Sequence, residues 1–206
     1  IPAGRISPAA ATVFVVANCV AFVGLAWLLN PLCLALSPVA LLLVLGYSLT
    51  KRFTSLCHVW LGLAIGISPL AASIAASGRF STVPVVLGLV LWTWMTGFDI
   101  VYATQDASHD KRLGLHSIPA ALGRDGALRV SAAMHFATLG LVVLTGRLAG
   151  WGIPWHVATV VCAVVLGWMH FLRKDDDLSL QSGFFKANIL LSFTVLAGVA
   201  VQILAA

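Results

Sequence analysis

Acidic residues are scarce in this chain and glutamate is absent: the seven acids among 206 residues are all aspartate. Only 9% of residues are charged, against roughly 25% in a soluble domain, which excludes a water-exposed surface over most of the molecule. Cys19, Cys33, Cys57 and Cys162 are isolated in or beside apolar segments with no Cys-x-x-Cys, so no disulfide framework or thiolate metal site is implied. They read as small buried hydrophobes. The six histidines, His58, His109, His116, His135, His156 and His170, show no His-x-x-x-His or His-x-His spacing and support no zinc site. No cleavable signal peptide is visible.

What remains is hydrophobic. Sixty per cent of residues are apolar, and the mean hydropathy is +1.01. Apolar runs at 9–30, 32–49, 56–77, 83–103, 127–146, 152–172 and 187–206 are each near the ~20 residues that cross ~30 Å of hydrocarbon. The fold expected is an all-α bundle of about seven transmembrane helices, one membrane domain over 1–206, with loops at 104–126 and 173–186. The second run carries Pro38 and is separated from the first only by Asn30-Pro31, so the boundaries are least marked there.

If the seven spans alternate, Arg5, Lys51, Arg52, Lys111, Arg112, Arg124, Arg129, Arg173, Lys174 and Lys186 share one side and only Arg79 and Arg147 the other. The positive-inside rule makes the first side cytoplasmic, in a multi-pass protein of the cell inner membrane. The bases are scattered over short loops without interleaved aromatics, which argues against nucleic acid as a partner. Trp27, Trp151 and Trp155 fall near the opposite helix ends, as an interfacial belt does.

Chemistry concentrates in residues 98–119, which hold three of the seven acids. If the start of this stretch is helical, the 3, 4 and 4 spacing of Asp99, Tyr102, Asp106 and Asp110 confines them to roughly an 80° arc. Like charges at i, i+4 repel, so the Asp106/Asp110 pair calls for a cation between its oxygens. Oxygen-only ligands favour a hard ion. Mg²⁺ suits best, because it takes one or two carboxylates, keeps water and shares its other positions with substrate phosphate. Asp99 lies about two turns inside its apolar run, where a carboxylate is expensive and usually functional; a helix-end carboxylate bonded to a neighbouring hydroxyl is the other reading.

Lys51-Arg52 is either a positive-inside anchor or, at the depth of bound Mg²⁺, a cradle for diphosphate oxygens. Asn188 enters the bilayer from the same side, either as a helix–helix hydrogen bond or as a ligand contact. Asp175-Asp176-Asp177 has no His or Glu nearby and reads as a solvated loop. Two rival classes remain open on the residues alone. A transporter with Asp99 as its coupling-ion site is one. The other is a CDP-alcohol phosphotransferase, hinted at by Asp125-Gly126 and Arg129, although residues 126–174 contain no acid.

Four ordered stretches resemble the UbiA superfamily of intramembrane aromatic prenyltransferases. They are Ile1-Pro-Ala-Gly-Arg-Ile-Ser; Tyr47-x-x-x-Lys51-Arg52-x-Thr54 with Leu61-Gly62; Asp99-x-x-Tyr102-Ala103-x-x-Asp106-x-x-x-Asp110-x-x-x-Gly114-x-x-Ser117; and Phe184-Phe185-x-x-Asn188. The wording around Tyr47–His58 and Gly97–Pro119 looks most like 4-hydroxybenzoate polyprenyltransferases and menaquinone-pathway relatives. The resemblance implies a helical bundle around a central cavity in which Asp106 and Asp110 bind Mg²⁺ and act in catalysis. Lys51 and Arg112 would help hold the diphosphate, with Tyr47 and Tyr102 lining the cavity. It implies transfer of a polyprenyl group from polyprenyl diphosphate to a small aromatic acceptor, with the bilayer as solvent. The family's first Asp-rich motif, Asn-Asp-x-x-Asp-x-x-x-Asp, does not occur in residues 1–206, so the expectation is the part of such an enzyme that follows that motif.

Overall fold

The structure, a computed structural model, describes residues 4–171 and 177–204. Among these, every regular element is a helix: α1 (Pro8–Leu29), α2 (Pro31–Thr50), α3 (Cys57–Gly66), α4 (Ser68–Ser77), α5 (Thr82–Tyr102), α6 (Ala107–Arg112), α7 (Ile118–Ala149), α8 (Ile153–Phe171) and α9 (Asp177–Leu204). With α3 and α4 following one another across Ile67, seven segments are long and apolar enough to span a membrane. This is the all-α multi-spanning bundle expected.

Local chemistry sets the helix ends. The Asn30 side chain accepts the Cys33 N–H at 2.9 Å while Pro31 opens α2, and the Asn30 amide donates to the Ile74 carbonyl at 2.9 Å near the end of α4. The tight α1–α2 turn is thereby pinned to α4. Pro38 offers no N–H to the Leu34 carbonyl one turn back. The Ser37 hydroxyl donates to that oxygen at 2.8 Å instead, and α2 continues through the proline. At Gly150, φ of 64° gives the left-handed cap that ends α7 before the turn into α8.

The hub is α5, which packs against α3 on one flank and α7 on the other. Lipid is as apolar as leucine, so helices in a bilayer associate by close packing and hydrogen bonds. Gly66 and Gly88 supply the close approach: a Cβ on Gly88 would lie 2.7 Å from the Gly66 carbonyl oxygen. The Trp92 indole donates to the Val59 carbonyl at 3.0 Å, and on the other flank the Ser131 hydroxyl donates to the Gly97 carbonyl at 2.7 Å. On the outer layer, α9 lies mainly on α8.

Three expectations need correction. Residues 104–126 are not a plain loop: they contain α6 and the start of α7, whose backbone breaks at Gly123 (φ 71°). The acidic stretch is therefore not one helix. After Tyr102, the Thr104 hydroxyl and its N–H both bond the Val101 carbonyl, at 2.7 and 3.2 Å, and Asp106 N–H bonds Ala103. These i→i+3 turns end α5 and separate Asp99 and Tyr102 from Asp106 and Asp110. Second, α9 begins at Asp177, ten residues before its expected start, because Leu180, Gln181, Phe184 and Ala187 at helical spacing bury a face of its first turns. Asp175 and Asp176, expected in a solvated loop, lie outside the described residues. Third, Trp155 is no interfacial residue. It is 1% exposed, packs on Gly146 and donates to the Val142 carbonyl at 3.1 Å.

Candidate active site

Two connections meet at one end of the bundle. The first runs from the end of α2 through Lys51 to α3, and the second from α6 through 113–117 to α7. Gly114, at φ 65°, turns the second connection back. His116 N–H then donates to the Lys51 carbonyl at 2.7 Å, and the buried Cys57 thiol donates to the His116 carbonyl at 3.6 Å. This backbone stitching brings together side chains 59 positions apart in sequence. Lys51 Nζ lies 3.2 Å from Asp110 Oδ2 and 3.4 Å from Oδ1. Asp110 is only 2% exposed, so its charge is balanced by one ammonium in a poorly hydrated place.

The other expected site residues fall around this pair. Asp106 is one turn away, its carbonyl accepting the Asp110 N–H at 2.8 Å, but its side chain is exposed. Arg52 and Arg112 are also exposed, and among the described residues neither they nor Asp106 form an ion pair. Tyr47 is half-buried one turn before Lys51 and within electrostatic reach of Asp99. Tyr102 stacks on Phe98 with centroids 4.6 Å apart, and its hydroxyl donates to the Gln181 carbonyl at 3.4 Å. Gln181 returns the bond, donating from Nε2 to the Tyr102 carbonyl at 3.2 Å. Among the described residues, Lys51 and Asp110 are the one pair of these expected site residues whose side chains bond each other.

Asp99, three residues before the end of α5 and so about one turn inside the span rather than the two expected, has a partner that spacing did not reveal. His58, at the start of α3 and 1% exposed, donates from Nδ1 to Asp99 Oδ2 at 2.7 Å. Its one sequence signal was a polar ring inside an apolar run, where polarity is costly.

Between α5 and α9 a cavity of about 360 Å³ is lined by Leu87, Leu91 and Met95 on one wall and by Asn188, Val195 and Val199 on the other. Met95 precedes Asp99 by four residues, so this wall continues along the same face of α5 toward the carboxylate. Asn188 sits in the groove rather than beside Asp110. The groove is almost wholly apolar.

As a cation site the donors are few. Among the described residues no group of three or more His, Cys, Asp or Glu side chains converges. Asp106 and Asp110, one helical turn apart, supply two carboxylates and no nitrogen or sulfur. That donor set fits Mg²⁺, which takes one or two carboxylates and fills its shell with water and phosphate oxygens. A tetrahedral zinc site is not built here.

The UbiA prenyltransferase family model matches residues 1–196. The chain belongs to the UbiA prenyltransferase family. Among its relatives are the 4-hydroxybenzoate octaprenyltransferases of Alkalilimnicola ehrlichii, 32% identical over 84% of this chain and 58% of that protein, and of Enterobacter sp., 31% identical over 98% and 70%. The apo structure of a UbiA homolog from Aeropyrum pernix K1 superposes with a TM-score of 0.85 at 31% identity, over 98% of this chain and 75% of that one. A digeranylgeranylglyceryl phosphate synthase structure, 19% identical with a TM-score of 0.77, shares the fold. This UbiA-family chain thus spans 58% of the length of the first of those relatives. The family match lends support to neither the transporter nor the CDP-alcohol phosphotransferase reading of its acidic residues.

Proposed function

We propose that this UbiA-family chain forms the diphosphate-binding and acceptor-facing part of an integral membrane prenyltransferase. The enzyme moves a polyprenyl group from polyprenyl diphosphate to an aromatic acceptor such as 4-hydroxybenzoate, in quinone biosynthesis. The observation that carries the reading is the buried Asp110 held by Lys51, at the end of the bundle where exposed Arg52 and Arg112 also gather. Named relatives support the substrate class. Residues 1–206 act as one membrane domain, with this end facing the cytoplasm across the cell inner membrane, a reading that the asymmetry of the basic residues supports.

In this reading Asp106 and Asp110 hold Mg²⁺, which when bound supplies positive charge to the leaving diphosphate. Lys51, Arg52 and Arg112 take up phosphate oxygens, the ammonium as a point charge and the guanidinium groups in forked pairs. The allylic C–O bond breaks with its electron pair going to the diphosphate, the allylic cation bonds to the electron-rich ring, and the ring then loses a proton. Tyr102 and Phe98 present aromatic faces that stabilise a cation electrostatically, and Tyr47 closes the other side. Asn188 and the α5–α9 groove receive the polyprenyl tail, which already dissolves in the bilayer, and keep water from quenching the cation. Asp99 faces the acceptor.

The test is transfer of radiolabelled polyprenyl diphosphate to 4-hydroxybenzoate by the intact protein in membranes, with and without Mg²⁺. Product that needs both the metal and the acceptor is expected. Hydrolysis alone, or export of a solute without covalent product, would contradict the reading.

A further inference from the structure

The bond between His58 and Asp99 is one of several contacts between α3 and α5. Between α3 and α5 there are already the Gly66–Gly88 approach and the Trp92–Val59 hydrogen bond. Yet His58 places an imidazole, 1% exposed, in the first turn of a membrane-spanning segment, where a buried polar ring costs free energy unless it is hydrogen-bonded. Among the described residues its Nε2 is buried without a hydrogen-bond partner, and the ring's polar neighbours are the Asp99 carboxylate, bonded at Nδ1, and the adjoining Cys57 thiol. A carboxylate only accepts, which fixes the hydrogen on Nδ1.

The consequence falls on Asp99. Its Oδ2 is turned inward to His58, while Oδ1 accepts no hydrogen bond among the described residues and the side chain stays 23% exposed. A carboxylate with one oxygen tethered and one free is oriented, and it can take a hydrogen bond or proton only on the open side. The same connection that brings Lys51 to Asp110 brings His58 to Asp99 seven residues later. One turn of chain therefore fixes a carboxylate on each half of the site.

We propose that His58 is the positioning residue of the acceptor half. It holds the Asp99 carboxylate so that Oδ1 meets a proton-donating group on the aromatic acceptor, and it has no part in binding the diphosphate. This rests on the proposed prenyl transfer and deepens it, since it requires the acceptor to carry an O–H or N–H donor. His58 itself stays behind Asp99 and touches no substrate.

Three forms of the intact protein test it: wild type, His58→Leu, which removes the donor, and His58→Asn, whose amide nitrogen occupies the Nδ1 position. Steady-state kinetics with each substrate varied separately, and calorimetric titration with 4-hydroxybenzoate, are read together with thermal stability. A hydrogen bond to a charged group is worth about tenfold or more, so His58→Leu should lower kcat/KM for the acceptor and its affinity by about that factor. KM for the prenyl diphosphate should stay within about twofold. His58→Asn should recover most of the loss. A wild-type acceptor affinity and kcat/KM in His58→Leu, or equal losses for both substrates with no recovery in His58→Asn, would overturn the proposal. A wild type that binds 4-hydroxybenzoate in a His58-dependent way without transferring a prenyl group would discard the transfer reading and keep the dyad. A wild type that neither binds nor transfers would overturn both.

Discussion

Lys51 Nζ lies within 3.2 and 3.4 Å of the two carboxylate oxygens of Asp110, a residue 59 positions away and 2% exposed. In the proposed site, a candidate metal ligand is therefore held by a candidate phosphate-binding side chain. Lys51→Met removes the charge and keeps most of the stem. The expected result is a rise in KM for the prenyl diphosphate of about tenfold or more, with the acceptor KM little changed. Equal effects on both substrates would mean that Lys51 serves the fold and not the leaving group.

The two metal-ligand candidates separate from ordinary surface acids. Asp106→Ala and Asp110→Ala should each cut turnover by about a hundredfold or more, since charge stabilisation by a bound metal is worth several kcal/mol. Asp125, exposed on the first turns of α7, is the control. Asp125→Asn should stay near wild type, as surface substitutions usually do. Comparable losses at all three positions would show that the acidic stretch had been misassigned.

The helix interfaces predict a contrast between two glycines. A Cβ on Gly88 would lie 2.7 Å from the Gly66 carbonyl, whereas one on Gly140 meets nothing within 4 Å. Gly88→Val should destabilise by about 1–3 kcal/mol through overpacking. Gly140→Ala should be neutral or stabilising, because an open mid-helix glycine costs up to ~1 kcal/mol relative to alanine. Thermal unfolding in detergent measures both.

Much of the fold was legible from composition, because twenty-residue apolar runs leave a chain few alternatives. Even the Asn30-Pro31 boundary follows from capping chemistry. The interruptions were not legible. That α5 stops at Tyr102 depends on the Thr104 hydroxyl bonding back to Val101, and that α9 starts at Asp177 depends on a buried face supplied by other helices. In the site, Asp106 and Asp110 stood out by spacing and Lys51 by its place at a span end. His58 did not, because its partner is 41 residues away and no local pattern marks a tertiary hydrogen bond. Neither did the buried His135, whose Nδ1 is 2.7 Å from His170 Nε2 across α7 and α8.

The groove between α5 and α9 predicts chain-length selectivity. Leu91 is half-buried on its α5 wall. Leu91→Trp should fill part of the cavity of about 360 Å³ and lower kcat/KM for a long polyprenyl diphosphate by about tenfold or more, while a two-unit prenyl diphosphate is used as before. An equal loss for both chain lengths would place the tail elsewhere.

The most direct measurement of the central claim is prenyl transfer to 4-hydroxybenzoate by membranes carrying the intact wild type or Asp110→Asn, each assayed with Mg²⁺ and again after chelation. Asn keeps the shape of Asp110 and removes its charge. Wild type should give Mg²⁺-dependent product, lost on chelation and restored by added Mg²⁺, and Asp110→Asn should fall by about a hundredfold or more at unchanged protein level. Wild-type rates in Asp110→Asn, or transfer indifferent to chelation, would contradict it.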